Sequence, residues 1–246
     1  MRSQTARLTL RQRLGWGAHL FRAVTRQHHL QLLPLFRQSI PLDGIVIDVG
    51  AQAGQYTKIF SRLAPQGHVH AFEPGQYAQS VLRRVIAWRA LKNVTLHPVG
   101  LSDRESTETL HMPIKKSGSL SFGLPHIGAC DGPKVSEEIR LTTLDAFAAK
   151  EGLMRVDFIK VDIEGWEVHF LKGAQNTIET FQPVIFAEVN DAFLKRAGNS
   201  AREMWDCLKS FGYNIYELHE DNAGLTPLSS PLLRGDVWCV PPGKFQ

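Results

Sequence analysis

The chain has 246 residues, of which 43% are hydrophobic, with a formal net charge of +4 and an isoelectric point near 9.0. This is ordinary for one α/β domain with an appendage. No apolar run approaches the roughly 20 residues that span a bilayer, and Cys130, Cys207 and Cys239 are too scattered for a disulfide framework or a close-spaced zinc site. These features predict a soluble protein in a reducing cytoplasm.

The excess positive charge lies in residues 1–40. This segment carries seven arginines and no acid before Asp43, with Leu10, Leu14 and Phe21 among the charges. We expect a basic helical N-terminal extension over 1–40, separate from a domain over 41–246. The extension could pack on the domain, contact a membrane surface or a partner protein, or act in targeting.

Short apolar, β-branched runs alternate with helix-like stretches from residue 44 onward. The runs at 44–49, 68–73, 93–99, 156–162 and 183–189 favour strands, and the stretches between them have apolar residues at helical spacing, including a single helix over 166–181. This alternation predicts an α/β fold with a doubly wound, mostly parallel sheet. Two strand-like runs near the C-terminus predict an antiparallel hairpin that closes the sheet.

The stretch "VIDVGAQAGQYT" from Val46 combines a strand-end acid with two glycines. Gly50 permits a tight turn, Gly54 permits close approach of backbone to a ligand, and Asp48 places a carboxylate at the strand end. Gln52 stands where the pyrophosphate-binding motif G-x-G-x-x-G requires glycine. An acid at this point suits a ligand with positive charge and donor groups, such as the sulfonium and ammonium of S-adenosyl-L-methionine. Glu73 ends the second strand, where a carboxylate can accept hydrogen bonds from ribose hydroxyls.

Six segments, in order along 44–192, resemble the FkbM-type family of S-adenosylmethionine-dependent methyltransferases. They are "VIDVGAQAGQYT", "AFEP", "PVGLSD", "TLDAF", "DFIKVDIEGWEVHFLKGA" and "IFAEVN". The resemblance implies a Rossmann-like class I methyltransferase fold, S-adenosyl-L-methionine as cofactor, and O-methylation of a hydroxyl on a sugar, glycolipid or polyketide-like small molecule. It says nothing about residues 1–40, which we expect to be dispensable for cofactor binding.

The resemblance also implies a set of cofactor-binding residues, in three groups. The methionine moiety would be bordered by Asp48, Gly50, Ala51 and Gly54, the ribose by Glu73, and the adenine by Leu101, Ser102 and Asp103. Tyr56 and Pro74 are further cofactor-binding residues that the resemblance implies, without a particular part of the cofactor.

Three acids at strand ends are the candidate catalytic residues. Asp162 and Glu164 follow the fourth strand, and Glu188 ends the fifth. Transfer of a methyl group to a hydroxyl requires alignment and a proton acceptor, which a carboxylate beside the sulfonium can provide. His126, in a Gly/Ser/Pro-rich stretch over 116–133, is an alternative proton acceptor if that stretch forms a lid over the substrate.

Three other interpretations remain open at this stage. The chain could bind S-adenosylmethionine without turnover, as an assembly or regulatory protein. The three acids could hold a divalent metal, since hard cations take oxygen ligands, although we expect none. A nucleic-acid substrate is not expected, because no basic patch with interleaved aromatic residues is present.

Overall fold

The computed structural model describes residues 10–114, 126–128, 132–219, 221 and 223–243, with side chains from residue 15 onward. The helices of this part are α1 (Leu10–Thr25), α2 (Leu33–Ser39), α3 (Gln55–Leu63), α4 (Gln76–Trp88), α5 (Leu144–Glu151), α6 (Glu167–Lys172), α7 (Gln175–Phe181), α8 (Asp191–Arg196) and α9 (Ala201–Ser210), with a 3₁₀ turn at Leu30–Leu32. The strands are β1 (Ile45–Val49), β2 (His68–Phe72), β3 (Val94–His97), β4 (Gly100–Leu101), β5 (Ser106–Pro113), β6 (His126–Ile127), β7 (Lys134–Thr142), β8 (Phe158–Val161), β9 (Val184–Asn190), β10 (Asn214–His219), β11 (Gly224–Pro227) and β12 (Arg234–Val240).

The main sheet is mostly parallel, which confirms the predicted fold class. Within the described residues it has eight strands in the order β11-β10-β12-β9-β8-β1-β2-β3, and the strands from β9 to β3 are parallel. The C-terminal strands β10 and β12 pair antiparallel, as expected, and β12 lies between β10 and β9. The segment between them adds β11, which the sequence analysis treated as a turn.

Strand order reverses between β1 and β8. After β1 the chain builds β2 and β3 on one side, and β8 returns to the other side of β1. A crevice therefore opens beyond the carboxyl ends of β1 and β8, where ligands bind in sheets of this kind.

A second sheet, in the order β4-β7-β5-β6, was not predicted. The strands β5 and β7 pair antiparallel over eight residue pairs. Burial alternates along them with the period of two that is typical of a strand with one covered face. The covered face forms a small apolar cluster of Leu110, Ile139 and Leu141, against which Ile127 packs.

The helix predicted over 166–181 is wrong as a single element, because the chain breaks between α6 and α7. A Cβ on Gly173 would stand 1.9 Å from the Ser102 carbonyl oxygen, so the backbones meet there. The Asp145 carboxylate accepts hydrogen bonds from the amides of Asn176 (3.0 Å) and Thr177 (2.8 Å). These bonds satisfy amides at the start of α7 that a helix leaves unpaired.

The N-terminal segment contacts the domain closely. Lys58 of α3 is fully buried and donates hydrogen bonds to the carbonyl oxygens of Ala23 (2.6 Å) and Arg26 (2.7 Å), at the end of α1. An ammonium satisfies carbonyls at a helix C-terminus well. Burial lowers the pKa of Lys58 to about 8. The Trp16 indole also donates to the Ser80 hydroxyl of α4 (2.9 Å).

Phe36 of α2 lies inside the core. Its side chain is 0% exposed, and its ring contacts those of Phe60, Phe158, Phe186 and Trp238 with centroids 5.2–5.9 Å apart. Phe36 and Ile40 of the N-terminal segment are thus core residues, which the prediction of a dispensable extension did not include. The domain boundary at residue 40 stays a prediction.

We expect Phe36→Ala to lower the free energy of unfolding by about 3–5 kcal/mol, because it leaves a cavity among buried rings. Urea denaturation measures this change. The control is Phe21→Ala on α1, where the side chain is 65% exposed and we expect a change within about 0.5 kcal/mol. Equal effects of the two substitutions would show that α2 is not part of the core.

Candidate active site

A cavity of about 460 Å³ opens at the carboxyl ends of the parallel strands. Of the residues assigned from the sequence, nine line it: Gly50, Ala51, Tyr56, Glu73, Pro74, Leu101, Asp162, Glu164 and Glu188. Four others, Asp48, Gly54, Ser102 and Asp103, are not among the lining residues. The lining also includes residues that were not assigned, among them His29, Gln52, Lys160, Trp166 and Asp236.

The turn after β1 forms the floor of the cavity. Gly50 has φ +74°, and a Cβ there would stand 2.0 Å from the Asp162 carbonyl oxygen, so only glycine fits. Gly54 begins α3 with φ +79°, and a Cβ there would stand 2.6 Å from the Leu82 side chain, so this glycine permits close packing of α3 on α4. Gly50 lines the cavity, whereas Gly54 packs against Leu82 of α4 and does not line it. Contact of either glycine with the cofactor stays a prediction.

Asp48 is a buried support and does not reach the cavity surface. Its side chain is 0% exposed, and it accepts a hydrogen bond from the Thr57 hydroxyl at 2.5 Å. Burial raises the pKa of Asp48, and the Lys160 ammonium, 3.7 Å away, opposes that rise. Asp48 therefore contacts Thr57 and Lys160 and does not line the cavity, and its predicted role beside the cofactor stays a prediction.

Lys160 holds the centre of the site. Its ammonium is 2% exposed, donates to the carbonyl oxygens of Val49 (3.1 Å) and Gly50 (3.0 Å), and lies 3.6 Å from the Asp162 carboxylate. Burial would lower the pKa of Lys160, but the charges of Asp162, Asp48 and Glu73 outweigh it and hold the pKa above its ordinary value. The sequence carries one signal for this residue, a lysine inside the apolar run "FIKV", but Lys160 was not among the predicted site residues.

Glu73 borders the cavity from the end of β2. One carboxylate oxygen accepts from the Gln52 amide (3.0 Å) and the other from the Gly75 amide (2.8 Å). Burial raises the pKa of Glu73 to about 7, against those two hydrogen bonds. The carboxylate is thus fixed in place by backbone donors at the edge of the cavity.

Ser102 and Asp103 position Trp166. The Trp166 indole donates to the Ser102 hydroxyl (2.9 Å), and that hydroxyl donates to Asp103 (3.0 Å). The Asp103 carboxylate also lies 3.5 Å from His169, whose ring stacks on Trp166 at 4.2 Å. These four side chains form a closed ring of contacts. Only Trp166 among them lines the cavity.

The three predicted catalytic acids lie together. Glu188 hydrogen-bonds Asp162, and burial together with the charge of Asp162 raises its pKa to about 9. Burial and the same neighbour raise the pKa of Glu164 to about 8. Lys160 lies 3.6 Å from the Asp162 carboxylate, and the charges of Arg196 and Lys160 oppose the rise in the pKa of Glu164. At neutral pH the cluster therefore retains protons that a bound cation would displace.

Glu167 shapes the turn that carries these acids. It is 2% exposed and accepts from the amides of Ile163 (3.0 Å) and Gly165 (3.3 Å). Glu164 has φ +58° in this turn, a conformation that non-glycine residues rarely adopt. Burial raises the pKa of Glu167 to about 7. Glu167 lies within the segment "DFIKVDIEGWEVHFLKGA" but was not among the predicted site residues.

The second sheet forms one wall of the cavity. Leu110, Ile139 and Leu141 line it from β5 and β7, together with His126 and Ile127 from β6. His126 is 8% exposed, so it is a wall residue and not part of an open loop. Most of the stretch predicted to be a lid, residues 116–125 and 129–131, lies outside the described residues, and that interpretation stays a prediction.

In the described part of the chain, no group of three or more His, Cys, Asp or Glu side chains is arranged to hold a metal ion. None of its helices has both the length and the apolar character needed to cross a membrane.

Comparison with known proteins identifies the family. The model of the methyltransferase FkbM domain matches residues 48–215, a range that contains the turn after β1, Glu73, the three acids and Trp166. The chain belongs to the FkbM methyltransferase family.

This FkbM-family chain is similar to proteins named as methyltransferases from several organisms. A 2-O-methyltransferase, NoeI of Sinorhizobium fredii, is 27% identical over 219 residues, covering 83% of this chain and 86% of its own. Methyltransferase sdnD of Sordaria araneosa is 26% identical, covering 65% and 75%. The crystal structure of methyltransferase FkbM from Methylobacillus flagellatus shares the fold, with a TM-score of 0.52 at 14% identity over 93% of this chain. The present chain spans 59% of that structure.

The acid cluster of this FkbM-family protein gives a pH-dependent stability. The pKa of Glu188 is about 9 in the folded state against its ordinary 4.5, so its stabilisation is complete below the unfolded pKa and is lost as the pH rises through about 9. Glutamine cannot ionise. We expect the free energy of unfolding of the Glu188→Gln variant minus that of the wild type to increase by about 1–2 kcal/mol from about pH 5 to about pH 9. This value is smaller than the full pKa shift implies, because Glu188 is partly exposed to solvent.

Urea denaturation at several pH values measures this difference. Glu179→Gln is the control, because Glu179 is exposed on α7 and its replacement should give a difference that does not vary with pH. A pH-independent effect at Glu188 would mean that the acid cluster is ionised in the free protein.

Proposed function

We propose that this protein transfers the methyl group of S-adenosyl-L-methionine to a hydroxyl oxygen of a sugar, glycolipid or polyketide-like small molecule. The observation that carries the proposal is the cavity itself, where Glu73 stands at the end of β2 and Asp162, Glu164 and Glu188 stand beyond β8 and β9. The relative named as a 2-O-methyltransferase supports oxygen as the acceptor atom.

The residues of the cavity fit this cofactor by their chemistry. Glu73 is anchored by two backbone amides and can accept hydrogen bonds from two ribose hydroxyls. Trp166 and Leu101 offer an aromatic and an apolar surface for the adenine. The acids beyond β8 and β9 favour a positively charged group beside them. When bound, the cofactor supplies an electrophilic methyl group on a positively charged sulfur.

The acid cluster provides the proton acceptor for the hydroxyl. Glu164 and Glu188 have pKa values of about 8 and 9 in the free protein, and a positive charge beside them lowers both, so they ionise when the site is loaded. Asp162 lies between Lys160 and Glu188, which fixes its orientation. We assign Asp162 to align the acceptor hydroxyl and Glu188 or Glu164 to take its proton as the oxygen–carbon bond forms and the carbon–sulfur bond breaks.

We place the reaction in the cytoplasm, with a small-molecule or glycan acceptor and no nucleic-acid partner. The N-terminal segment is the candidate for a peripheral membrane or protein contact. Phe21 is 65% exposed on α1, and Arg22 and Arg26 are exposed near it, an arrangement that suits an anionic surface.

The experiment that tests the function is methyl transfer from isotope-labelled S-adenosylmethionine into sugars, glycolipids and cell extracts, followed by mass spectrometry. We expect a labelled methyl ether on one acceptor class. Label on nitrogen would overturn the choice of acceptor atom. Binding of the cofactor with no labelled product from any extract would favour a non-catalytic binding protein.

We expect Asp162→Asn to lower the turnover number about 10²–10⁴-fold with a small change in cofactor affinity, because the substitution keeps the shape and removes the charge. Steady-state kinetics on the identified acceptor measure this, with calorimetry for affinity. Asp206→Asn is the control, since Asp206 is exposed on α9. If Asp162→Asn, Glu164→Gln and Glu188→Gln all keep normal turnover, carboxylates do not assist the reaction.

We expect Glu73→Gln to weaken the binding of S-adenosylhomocysteine about tenfold, because it replaces charge-assisted hydrogen bonds to the ribose with neutral ones. Isothermal titration calorimetry measures the affinity. The control is Glu151→Gln at the exposed end of α5. An unchanged affinity in a folded Glu73→Gln variant would remove Glu73 from the cofactor site.

A further inference from the structure

The helices on one side of the main sheet form a layer without acids. Parallel crossovers are right-handed, so the connections β1–α3–β2 and β2–α4–β3 place α3 and α4 on the same side of the sheet. Helix α1 packs on α4, and α2 packs on α3. None of these four helices contains Asp or Glu. We call these helices, with the turn that joins α1 to α2, the basic layer.

The helices on the opposite side of the sheet carry both signs of charge. The connection from β8 through α6 and α7 to β9 runs in the other direction along the sheet, so its helices lie on the other side. Helix α9 packs on α6. The ion pairs Lys195–Asp191 (2.7 Å) and Arg202–Asp206 (3.0 Å) belong to α8 and α9. Acids therefore balance cations on this side, in contrast to the basic layer.

The arginines of the basic layer have no counter-ion among the described residues. Burial, followed by the charges of Arg89 and Arg62, lowers the pKa of Lys58 to about 8, so like charges repel one another between α3 and α4. A set of cations without counter-ions attracts an anionic surface. The exposed members include Arg22, Arg26, Arg37, Arg62, Arg83 and Arg89, none of which forms an ion pair with another described residue.

Two large apolar side chains are exposed among these charges. Phe21 on α1 is 65% exposed, and Leu30 in the 3₁₀ turn is 49% exposed, with Arg22 and Arg26 exposed between them in the chain. Cations beside apolar side chains are typical of a surface that enters the boundary between lipid headgroups and acyl chains. A single-stranded nucleic acid stacks its bases on aromatic rings, whereas Leu30 is aliphatic. This combination favours an anionic lipid bilayer.

This part of the basic layer lies next to the cavity. His29, which lines the cavity, directly precedes Leu30 in the chain. The Lys58 ammonium holds the end of α1 through the carbonyl oxygens of Ala23 and Arg26, so this segment is fixed on α3, the helix that follows the turn after β1. A bilayer bound here brings its headgroups close to the cavity that contains the three acids.

We propose that the basic layer binds an anionic lipid bilayer, with Phe21 and Leu30 entering its surface, and that the methyl acceptor is a glycolipid held in that bilayer. The choice of a glycolipid rests on the proposed function, whereas binding to the bilayer does not. The transferred methyl group and the proton acceptor are those of the proposed function.

The test measures co-sedimentation of the full-length protein with lipid vesicles, without cofactor or acceptor. Vesicles of phosphatidylcholine alone are compared with vesicles of phosphatidylcholine mixed with the anionic phosphatidylglycerol. The variants are Phe21→Ala, and Arg22→Glu combined with Arg26→Glu. The matched control is Lys150→Glu combined with Lys172→Glu, because both lysines are exposed on the other side of the sheet. Urea denaturation checks that each variant folds.

We expect the protein to bind the anionic vesicles and not the neutral ones, with binding that weakens as the salt concentration rises. The double arginine variant should bind about tenfold or more weakly, Phe21→Ala about fivefold more weakly, and the lysine control within about twofold of the wild type. Equal binding to both kinds of vesicle, binding to neither, or an equal loss in the lysine control would overturn the inference. If the double arginine variant does not fold, Phe21→Ala decides.

A single-stranded oligonucleotide at matched phosphate concentration tests the other class of anionic partner. We expect the vesicles to bind the protein more tightly than the oligonucleotide does. Tighter binding of the oligonucleotide would make nucleic acid the partner and overturn the choice of a bilayer.

Methyl transfer from labelled S-adenosylmethionine tests the acceptor class. A glycolipid in the anionic vesicles is compared with its free headgroup sugar in water. We expect the wild type to label the glycolipid preferentially, and Phe21→Ala to lower this labelling about fivefold. Vesicle binding with labelling of the free sugar alone would overturn the glycolipid acceptor. Vesicle binding with no methyl transfer to any acceptor would overturn the proposed function and leave bilayer binding in place.

Discussion

The site depends on one buried ammonium, that of Lys160. It joins β8 to the end of β1 through the carbonyl oxygens of Val49 and Gly50, and it lies within 3.7 Å of Asp48 and Asp162. A carboxylate that is 0% exposed, as Asp48 is, costs several kcal/mol without a compensating charge. The same ammonium fixes the turn after β1 and lies beside the Asp162 carboxylate. One interaction therefore stabilises the fold and also arranges the lining of the cavity.

The remaining acids are not neutralised in the same way. Glu188, Glu164 and Glu73 have pKa values raised to about 9, 8 and 7, chiefly by burial, and the charges of Lys160 and Arg196 offset that rise only in part at Glu164, and Lys160 only in part at Glu73. The free protein therefore holds protons at a site where a cationic ligand favours carboxylates. Binding of a positively charged ligand beside this cluster would therefore be linked to proton release.

Strand-end residues could be predicted from the sequence, because alternation of apolar runs and helices places every parallel strand end at one edge of the sheet. Gly50, Glu73 and the acids at 162, 164 and 188 reach the cavity for this reason. The hydrogen bonds that join Ser102 and Asp103 to Trp166 could not be predicted, since they depend on tertiary packing, and the place of these two residues beside the adenine stays a prediction. The break at Gly173 and the second sheet likewise depend on contacts between distant segments.

The N-terminal segment shows where composition misleads. A run of arginines without acids is typical of a solvated or interfacial helix. The composition of this run does not indicate that Lys58 of α3 donates hydrogen bonds to the carbonyl oxygens at the end of α1. It also does not indicate that the Phe36 ring packs in an aromatic core. Every helix end has unpaired backbone carbonyl oxygens whatever its residues, so the sequence does not indicate which distant side chain will donate to them. The same Lys58 contact orients the loop that presents His29 beside Tyr56. Packing of this segment on α3 therefore sets the shape of the cavity, so a change at the α1–α3 contact would act on ligand binding without touching any residue of the family motif.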